Sequence, residues 1–360
     1  MGILRTILAL AVVVYHSNKI FGLRMCGGQV AVEAFYIISG FYMALILNEK
    51  YIGPGHYRKF ILSRFFRIFP VYWIVLILAL MLSLTGYAAF DHPYYIARYI
   101  SNYDCLSGFT IFYFILENII VFGQDVLYFL RLDELCQPIL TYNVLSFKHA
   151  GYQYLLVPQA WTISIECKFY LIAPFLVTRK LKWQLVLVLL GLITKFYFAN
   201  IHYLCFDPWT YRFFPFEFAF FIAGSIAYRF YKYLQQKPVA NIYGYALLIV
   251  SVCGIFVYDE IKLPDEPKNS IYYLFILGSI PFIFLAFKDN KMDRYIGELS
   301  FSVYISHHLM VSIFRGYFFS NPQYLYLYGY TVVFSSLILA FLLQILVIRK
   351  IEIYRQKRFS

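Results

Sequence analysis

The sequence predicts an all-α polytopic integral membrane protein. Of its 360 residues, 61% are hydrophobic and only 14% are charged, whereas about a quarter are charged in soluble domains. Apolar runs of about 20 residues, the length that spans a bilayer as a helix, recur along the whole chain. Clusters of Lys and Arg alternate with connections that are poorer in cations, as expected for connections on opposite sides of a membrane.

We predict about ten transmembrane helices. They cover residues 3–18, 29–48, 68–87, 161–178, 184–200, 213–231, 240–258, 270–287, 298–319 and 325–348. The run at 110–130 contains Glu117, Gln124 and Asp125, and we interpret it as re-entrant or interfacial because one more crossing would break the charge alternation. No internal repeat or linker divides the chain, so we expect a single transmembrane domain over residues 1–360.

The cationic clusters predict the orientation of the chain. They lie at 50–67, 179–182, 229–237, 288–294 and 349–358. Because cytoplasmic connections are the ones rich in Lys and Arg, both termini should be cytoplasmic, with a short basic tail from about residue 349. We attribute the net charge of +12 to this topology and expect no nucleic-acid partner.

The first predicted helix carries Arg5 near its start and His16 at its end. Eleven residues separate them, which is three helical turns plus about 20°, so the side chains share a face about 16 Å apart along the axis. Ionisable groups inside hydrocarbon are costly and usually mark function. The alternative is a basic flank and an interfacial histidine that do not act together.

The second span carries Glu33, Ser39 and Gly40 among apolar residues. A carboxylate in this position indicates a functional site, or else an ion pair with another buried group such as Arg5. Small residues let helices approach closely, so Ser39 and Gly40 are equally compatible with a helix contact.

Arg64 and Arg67, at i and i+3, fall on one side of a helix at the predicted cytoplasmic edge of the membrane. Two guanidinium groups with forked donors suit the recognition of phosphate. The alternative is a topology anchor, which is the usual role of such a pair.

The fourth span begins with Trp161 and carries Thr162 and Glu166 one helical turn apart. This places a carboxylate with neighbouring hydroxyl groups in the outer half of the membrane. The alternative is an interfacial aromatic residue together with an ion pair between Glu166 and Lys168.

The ninth span carries a polar stripe of Ser300, Tyr304 and His307, at i, i+4 and i+7 on one helix face. A polar stripe within a spanning helix usually faces a cavity. We therefore expect His307 to belong to a site and His308 to point elsewhere.

Other polar residues receive no functional role from their spacing. Arg212 and Glu217 are interpreted as mostly structural. The six cysteines are scattered singly, and their spacing indicates neither a disulfide framework nor a zinc site.

Together these segments resemble the membrane acyltransferase-3 family, the bacterial O-acyltransferases that modify envelope polysaccharides, such as O-antigen, and related acceptors. Five segments carry the resemblance, in the family's order. They are the Arg5-to-His16 helix, the stretch from Glu33 to Phe41, Arg64-x-x-Arg67-x-x-Pro70, the stretch from Trp161 to Glu166, and the stretch from Ser300 to His307. Phe301 stands where the family often has Tyr, and Glu33 where it often has Asp.

The resemblance implies an acetyl-CoA-dependent O-acetyltransferase of the inner (cytoplasmic) membrane that moves an acyl group from cytoplasmic acyl-CoA to a hydroxyl of an extracytoplasmic or lipid-linked saccharide. It implies three groups of site residues, with a neutral imidazole suited to act as the general base. The catalytic candidates are His16, Glu33 and Glu166. The donor-binding candidates are Arg5, Arg64 and Arg67. The candidates for the acceptor or the pocket are Ser39, Trp161, Ser300, Tyr304 and His307.

The expected partners are acyl-CoA, a saccharide or glycolipid acceptor and membrane lipids, with no permanently bound cofactor or metal. Some members of the family add an extracytoplasmic hydrolase-like domain, and we expect none fused to this chain. Two alternatives stay open. One is a transporter or flippase of an envelope glycan, in which buried Glu, Arg and His serve proton coupling. The other is an acyltransferase with a non-saccharide acceptor.

Overall fold

The computed structural model describes residues 1–359, which form a bundle of α-helices with one small β-hairpin. The helices are α1 (Gly2–His16), α2 (Gly27–Glu49), α3 (His56–Phe90), α4 (Ala97–Ser101), α5 (Gly108–Ile120), α6 (Trp161–Leu176), α7 (Leu181–Ile201), α8 (Phe214–Leu234), α9 (Asn241–Val257), α10 (Asp265–Phe287), α11 (Lys291–Ser320), α12 (Leu325–Leu343) and α13 (Arg349–Phe359). The hairpin pairs β1 (Leu130–Leu132) with β2 (Pro138–Leu140) in antiparallel register. The fold is helical as predicted, except for this hairpin.

Six helical segments of the described chain are long and apolar enough to cross a membrane, as a multi-pass membrane protein requires. They are Gly27–Glu49, His56–Phe90, Leu181–Ile201, Asn241–Glu260, Asp265–Phe287 and Pro322–Arg358. The other four predicted spans coincide with α1, α6, α8 and α11, which are shorter or carry more polar residues. The total of ten crossings therefore stays a prediction.

The segment at 110–130 is not one continuous helix. α5 ends after 13 residues at Ile120, and the chain turns at Val121, whose φ of 70° lies in the left-handed region. A short 3-10 turn follows at Val126–Phe129. A broken helix of this kind is compatible with a re-entrant or interfacial segment, and that placement remains a prediction.

Glycines bring two pairs of helices into close contact. A Cβ on Gly40 of α2 would lie 1.9 Å from the carbonyl oxygen of Phe221 on α8, and a Cβ on Gly297 of α11 would lie 2.6 Å from the Cα of Gly2 on α1. Such close approach of backbones is typical of small residues in membrane helices. Gly40 therefore has the packing role that the sequence left open.

Asp293 fixes the start of α1 against α11. Its carboxylate accepts hydrogen bonds from the backbone N–H groups of Gly2, at 2.8 Å, and Ile3, at 2.9 Å. Thr6 Oγ1 also donates to the carbonyl oxygen of Ile296 at 2.7 Å. An anionic group is favourable at a helix N-terminus, and this contact sets the position of the rest of α1 along α11.

A disulfide joins Cys105 and Cys136, whose Cα atoms lie 5.7 Å apart. The interpretation that the cysteines form no disulfide is therefore wrong for this pair. The two residues are 31 positions apart in the chain, and they meet because the residues after α5 fold back through the hairpin. Their spacing alone carries no sign of this contact.

Candidate functional site

A cavity of about 440 Å³ opens at one end of the bundle. Its lining comes from α1, α2, α3, α6, α10, α11 and α13. Lys50, Arg67 and Arg294 line it and are exposed, which marks its open end. Thr162 and Tyr304 line it and are buried, which marks its inner end. The cavity therefore runs from charged helix ends into the polar centre of the bundle.

The cavity is strongly cationic. Among the described residues, seven cationic and four acidic side chains line it. The cations are Arg5, Lys50, Arg64, Arg67, Lys288, Arg294 and Arg355.

Of these seven cations, only Arg355 makes an ion pair with a carboxylate among the described residues. In the part of the chain that the structure describes, Arg5, Arg64 and Arg67 make no ion pair with a carboxylate within 4.0 Å. Arg64 is buried, and its Nε has no hydrogen-bond partner. Because a buried charge is costly unless it is paired, this part of the cavity indicates a site for an anionic ligand.

Glu166 lines the cavity and is held by two hydroxyl groups. Ser39 Oγ donates to its carboxylate at 2.6 Å, and the hydroxyl of Tyr170 donates to the same oxygen. The alternative ion pair with Lys168 is wrong, because Lys168 pairs with Asp125 at 2.5 Å. Residues two positions apart on a helix do not face each other, which explains why the neighbour in sequence is not the neighbour in space.

The other acidic residues of the lining are engaged as well. Glu298 accepts a hydrogen bond from Gln344 Nε2 at 2.8 Å. Asp293 binds the start of α1, and Glu352 pairs with Arg355 at 2.6 Å. None of these four carboxylates lies within ion-pair distance of Arg5, Arg64 or Arg67.

The cavity brings together seven of the eleven predicted site residues, and the other four lie outside its lining. The lining residues are Arg5, Ser39, Arg64, Arg67, Glu166, Ser300 and Tyr304. The four outside are His16, Glu33, Trp161 and His307.

Three imidazole rings cluster beyond the inner end of the cavity. The ring of His16 lies 5.3 Å from that of His307 and 5.1 Å from that of His308. The expectation that His308 points elsewhere is wrong. The end of α1 packs between two successive positions of α11, so both rings flank His16. The ring of Tyr304, which lines the cavity, lies 6.0 Å from that of His307.

His307 and His16 differ in exposure. His307 is fully buried, and its Nδ1 lies 2.6 Å from the carbonyl oxygen of Tyr304. A carbonyl oxygen only accepts hydrogen bonds, so Nδ1 carries the hydrogen and Nε2, which has no partner, keeps its lone pair. His16 is exposed at the end of α1.

Among the described residues, no group of three or more His, Cys, Asp or Glu side chains is arranged to hold a metal ion.

Tyr304 separates the cavity from the histidine cluster, which consists of His16, His307 and His308. Its hydroxyl accepts a hydrogen bond from Thr162 Oγ1 at 2.8 Å and donates to the carbonyl oxygen of Gln159 at 3.1 Å. Tyr304 therefore lines the cavity and also approaches His307, whereas His16 does not line the cavity.

Glu33 belongs to a different buried cluster. Lys195 Nζ lies 2.8 Å from Glu33 and 3.1 Å from Glu217, and the hydroxyl of Tyr273 donates to Glu33. The pairing of Glu33 with Arg5 is therefore wrong. The sequence signal that points to the true partner is Lys195 itself, which is the charged residue in the second half of α7.

Trp161 packs against Arg212 outside the cavity. The guanidinium of Arg212 lies 4.2 Å from the Trp161 ring and 4.1 Å from the Tyr128 ring, and it pairs with Asp207 at 2.6 Å. These contacts are cation–π interactions of the kind that stabilise buried Arg. They place Trp161 and Arg212 in one cluster, and the structural role of Arg212 stays a prediction.

Comparisons with known proteins identify the family of this chain. A family model described as an acyltransferase domain matches residues 1–348. The peptidoglycan O-acetyltransferase OatA of Listeria monocytogenes is 22% identical over 335 residues, which cover 86% of this chain and 49% of that protein. A putative O-acetyltransferase of Staphylococcus aureus is 23% identical over 369 residues, covering 93% of this chain and 54% of that protein.

A third relative is similar to this chain over most of its own length. The exopolysaccharide production protein ExoZ of Rhizobium meliloti is 23% identical over 308 residues, which cover 83% of this chain and 81% of that protein. The chain spans about half the length of the first two relatives. No solved structure matches it significantly. The family model covers nearly the whole chain, and the chain therefore belongs to the acyltransferase-3 family of membrane proteins.

Proposed function

We propose that this protein transfers an acyl group, acetyl in the first instance, from cytoplasmic acyl-CoA to a hydroxyl of an extracytoplasmic or lipid-linked saccharide. One observation carries the proposal: a cavity whose inner end adjoins a histidine cluster is lined by guanidinium groups, among them Arg5, Arg64 and Arg67, that make no ion pair with a described carboxylate. The printed names of the relatives, which mention peptidoglycan and exopolysaccharide, favour a glycan as acceptor.

The cationic part of the cavity suits the phosphate groups of the donor. Arg64 and Arg67 offer planar forked donors, which bind phosphate in bidentate geometry. Arg5 lies in the same lining. With the phosphates at the open end, the long flexible arm of CoA would extend inward toward Tyr304.

The histidine cluster suits the proton transfer. In the proposed reaction, the acceptor oxygen attacks the carbonyl carbon of the thioester, the C–S bond breaks, and His16 takes the hydroxyl proton. The proton then passes to the departing thiolate, so that CoA leaves as a thiol. Tyr304 would have to turn aside for the thioester to reach His16. Glu166, which accepts hydrogen bonds from Ser39 and Tyr170, would orient the reacting groups from the cavity side.

Two features support the orientation that this reaction needs. Disulfides form and persist in oxidising compartments, so the Cys105–Cys136 bond favours an extracytoplasmic location for residues 91–160. The open end of the cavity carries Lys50 and Arg294, which belong to cation-rich stretches of the cytoplasmic kind. We propose cytoplasmic termini and an inner-membrane location on these grounds.

Two measurements test the function. Purified protein with acetyl-CoA and a hydroxyl acceptor should release free CoA and form an ester. Mass spectrometry of envelope glycans from cells with and without the protein should then show a mass difference of one acetyl group on a defined sugar. A glycan that changes in amount across the membrane but carries no acyl difference, together with no release of CoA, would contradict the proposal and favour a transporter.

A further inference from the structure

α13 forms part of the cavity wall, although the sequence shows only a basic tail there. Glu352, Arg355 and Gln356 line the cavity. The ring of Tyr354 packs 5.6 Å from that of Phe66 on α3. α13 therefore lies against the helix that carries Arg64 and Arg67.

A π-helical segment sets the direction in which α13 faces. It covers Gln344–Ile348, between α12 and α13. A π-turn adds one residue to a helical turn, which rotates the following residues by about 100° relative to a regular helix. Such segments frequently occur at functional sites. Here the segment also places Gln344 against Glu298 in the cavity.

Arg355 is held in a fixed position next to Arg64. Its Nε and Nη2 donate to the two carboxylate oxygens of Glu352 at 2.8 and 2.6 Å. Its Nη1 donates to Ser63 Oγ at 2.8 Å, and Ser63 directly precedes Arg64. A guanidinium has five N–H donors, so two remain for a ligand. A side chain that is already ordered loses little further entropy when it binds.

We propose that Arg355 binds the 3′-phosphate of the acyl-CoA donor and that Glu352 is its positioning residue. The proposal rests on the function proposed above. The thioester has to reach the inner end of the cavity at Tyr304, so the nucleotide end of the donor stays at the open end. Buried Arg64 faces the diphosphate in this arrangement. Arg355, on the neighbouring helix beside exposed Gln356, faces the phosphate on the ribose.

Two donors that differ only in the 3′-phosphate test this assignment. The kcat/KM for transfer should be measured with acetyl-CoA and with the acetyl thioester of 3′-dephospho-CoA. The wild-type protein should prefer acetyl-CoA by about tenfold to a hundredfold, the range for hydrogen bonds to a charged group. Arg355→Gln should lose most of this preference, and Arg355→Lys, which keeps the charge without the fork, should retain part of it. Glu352→Gln should weaken the preference without abolishing it.

Arg358→Gln is the matched control, because Arg358 lies on the same helix, is exposed and does not line the cavity. It should keep the wild-type preference. The ratio between two donors is insensitive to the amount of folded protein, so partial unfolding of a variant does not mimic the expected result. An unchanged ratio in Arg355→Gln, or no preference in the wild type, would overturn the assignment. If Arg64→Gln still weakens acetyl-CoA binding in either case, the proposed function stands and only the assignment of Arg355 is wrong. If Arg64→Gln also binds normally, the donor site itself is wrong.

Discussion

The two ends of the cavity differ in how many groups share one task. At the open end, cationic side chains from several helices surround the space, and Arg5, Arg64 and Arg67 make no ion pair with any carboxylate of residues 1–359. At the inner end, His16 is the proposed proton acceptor and is exposed, while His307 is fully buried. Binding energy can be divided among many contacts, whereas a proton transfer depends on one well-placed group. Substitutions at the open end should therefore weaken donor binding, whereas substitutions at the inner end should slow transfer.

The largest effect should come from His16. His16→Ala should leave donor binding intact, while transfer to the hydroxyl falls by about 10²–10⁴-fold, the range for a general base. Transfer by the wild type should also decrease at acidic pH, because only the neutral ring accepts a proton. The measurement compares His16→Ala, His16→Asn and His16→Gln at equal levels in the membrane. A near-wild-type rate in any of the three would rule out His16 as the base.

Substitutions at the cationic end should have smaller effects than His16→Ala, and they should act on donor binding. Arg64→Ala or Arg67→Ala should weaken acetyl-CoA binding by about tenfold to a hundredfold, and Lys at either position should restore only part of it because it lacks the planar fork. Direct binding to purified protein checks this. Normal binding together with an altered membrane topology would instead identify the two residues as a topology anchor.

The two neighbouring histidines of α11 sharpen the comparison within the inner end. His307→Leu removes a buried hydrogen bond to the Tyr304 carbonyl, a contact worth about 0.5–1.5 kcal/mol. It should therefore reduce transfer more than His308→Leu, by up to about tenfold. His308 is only half-buried, and its variant is the control. Equal losses in the two variants would show that both rings act on His16 alike.

The smallest effect should come from the hydroxyl group that separates the two ends. Tyr304→Phe removes the hydrogen bonds to Thr162 and Gln159 but keeps the ring. If these bonds hold the ring in place, the variant should open the passage more readily. The expected result is a few-fold rise in acetyl-CoA hydrolysis relative to transfer, from a contact worth about 0.5–1.5 kcal/mol. Thr162→Val should do the same, and a loss of donor binding in either variant would contradict a barrier role.

The sequence predicts the helices and seven of the residues that line the cavity, because both depend on local patterns. Arg5, Arg64 and Ser300 stand out as polar residues within or beside apolar helices, and all three line the cavity. Lys288 and Arg355 also line it, but their positions match those of ordinary topology signals. Their spacing in the sequence does not distinguish a residue that lines the cavity from one that only sets the membrane topology.

The wrong predictions share a physical cause. Helical periodicity shows which residues of one helix share a face, but not which helix packs against that face. Glu33 pairs with Lys195, 162 positions away, rather than with Arg5. His308 flanks His16 because of the way α1 ends on α11. The Cys105–Cys136 contact likewise depends on how the chain folds back after α5.

The sidedness of the reaction provides the most direct test of acyl transfer from one end of the cavity to the other. Membrane vesicles prepared in inside-out and right-side-out orientation carry the same protein and the same native acceptors. Acetyl-CoA with a labelled acetyl group, which does not cross membranes, would be added outside both. Inside-out vesicles should incorporate label into enclosed glycan, and those with His16→Ala should not, while right-side-out vesicles should stay unlabelled. Labelling of right-side-out vesicles alone, or of both orientations equally, would contradict transfer from a cytoplasmic cavity to an acceptor on the far side.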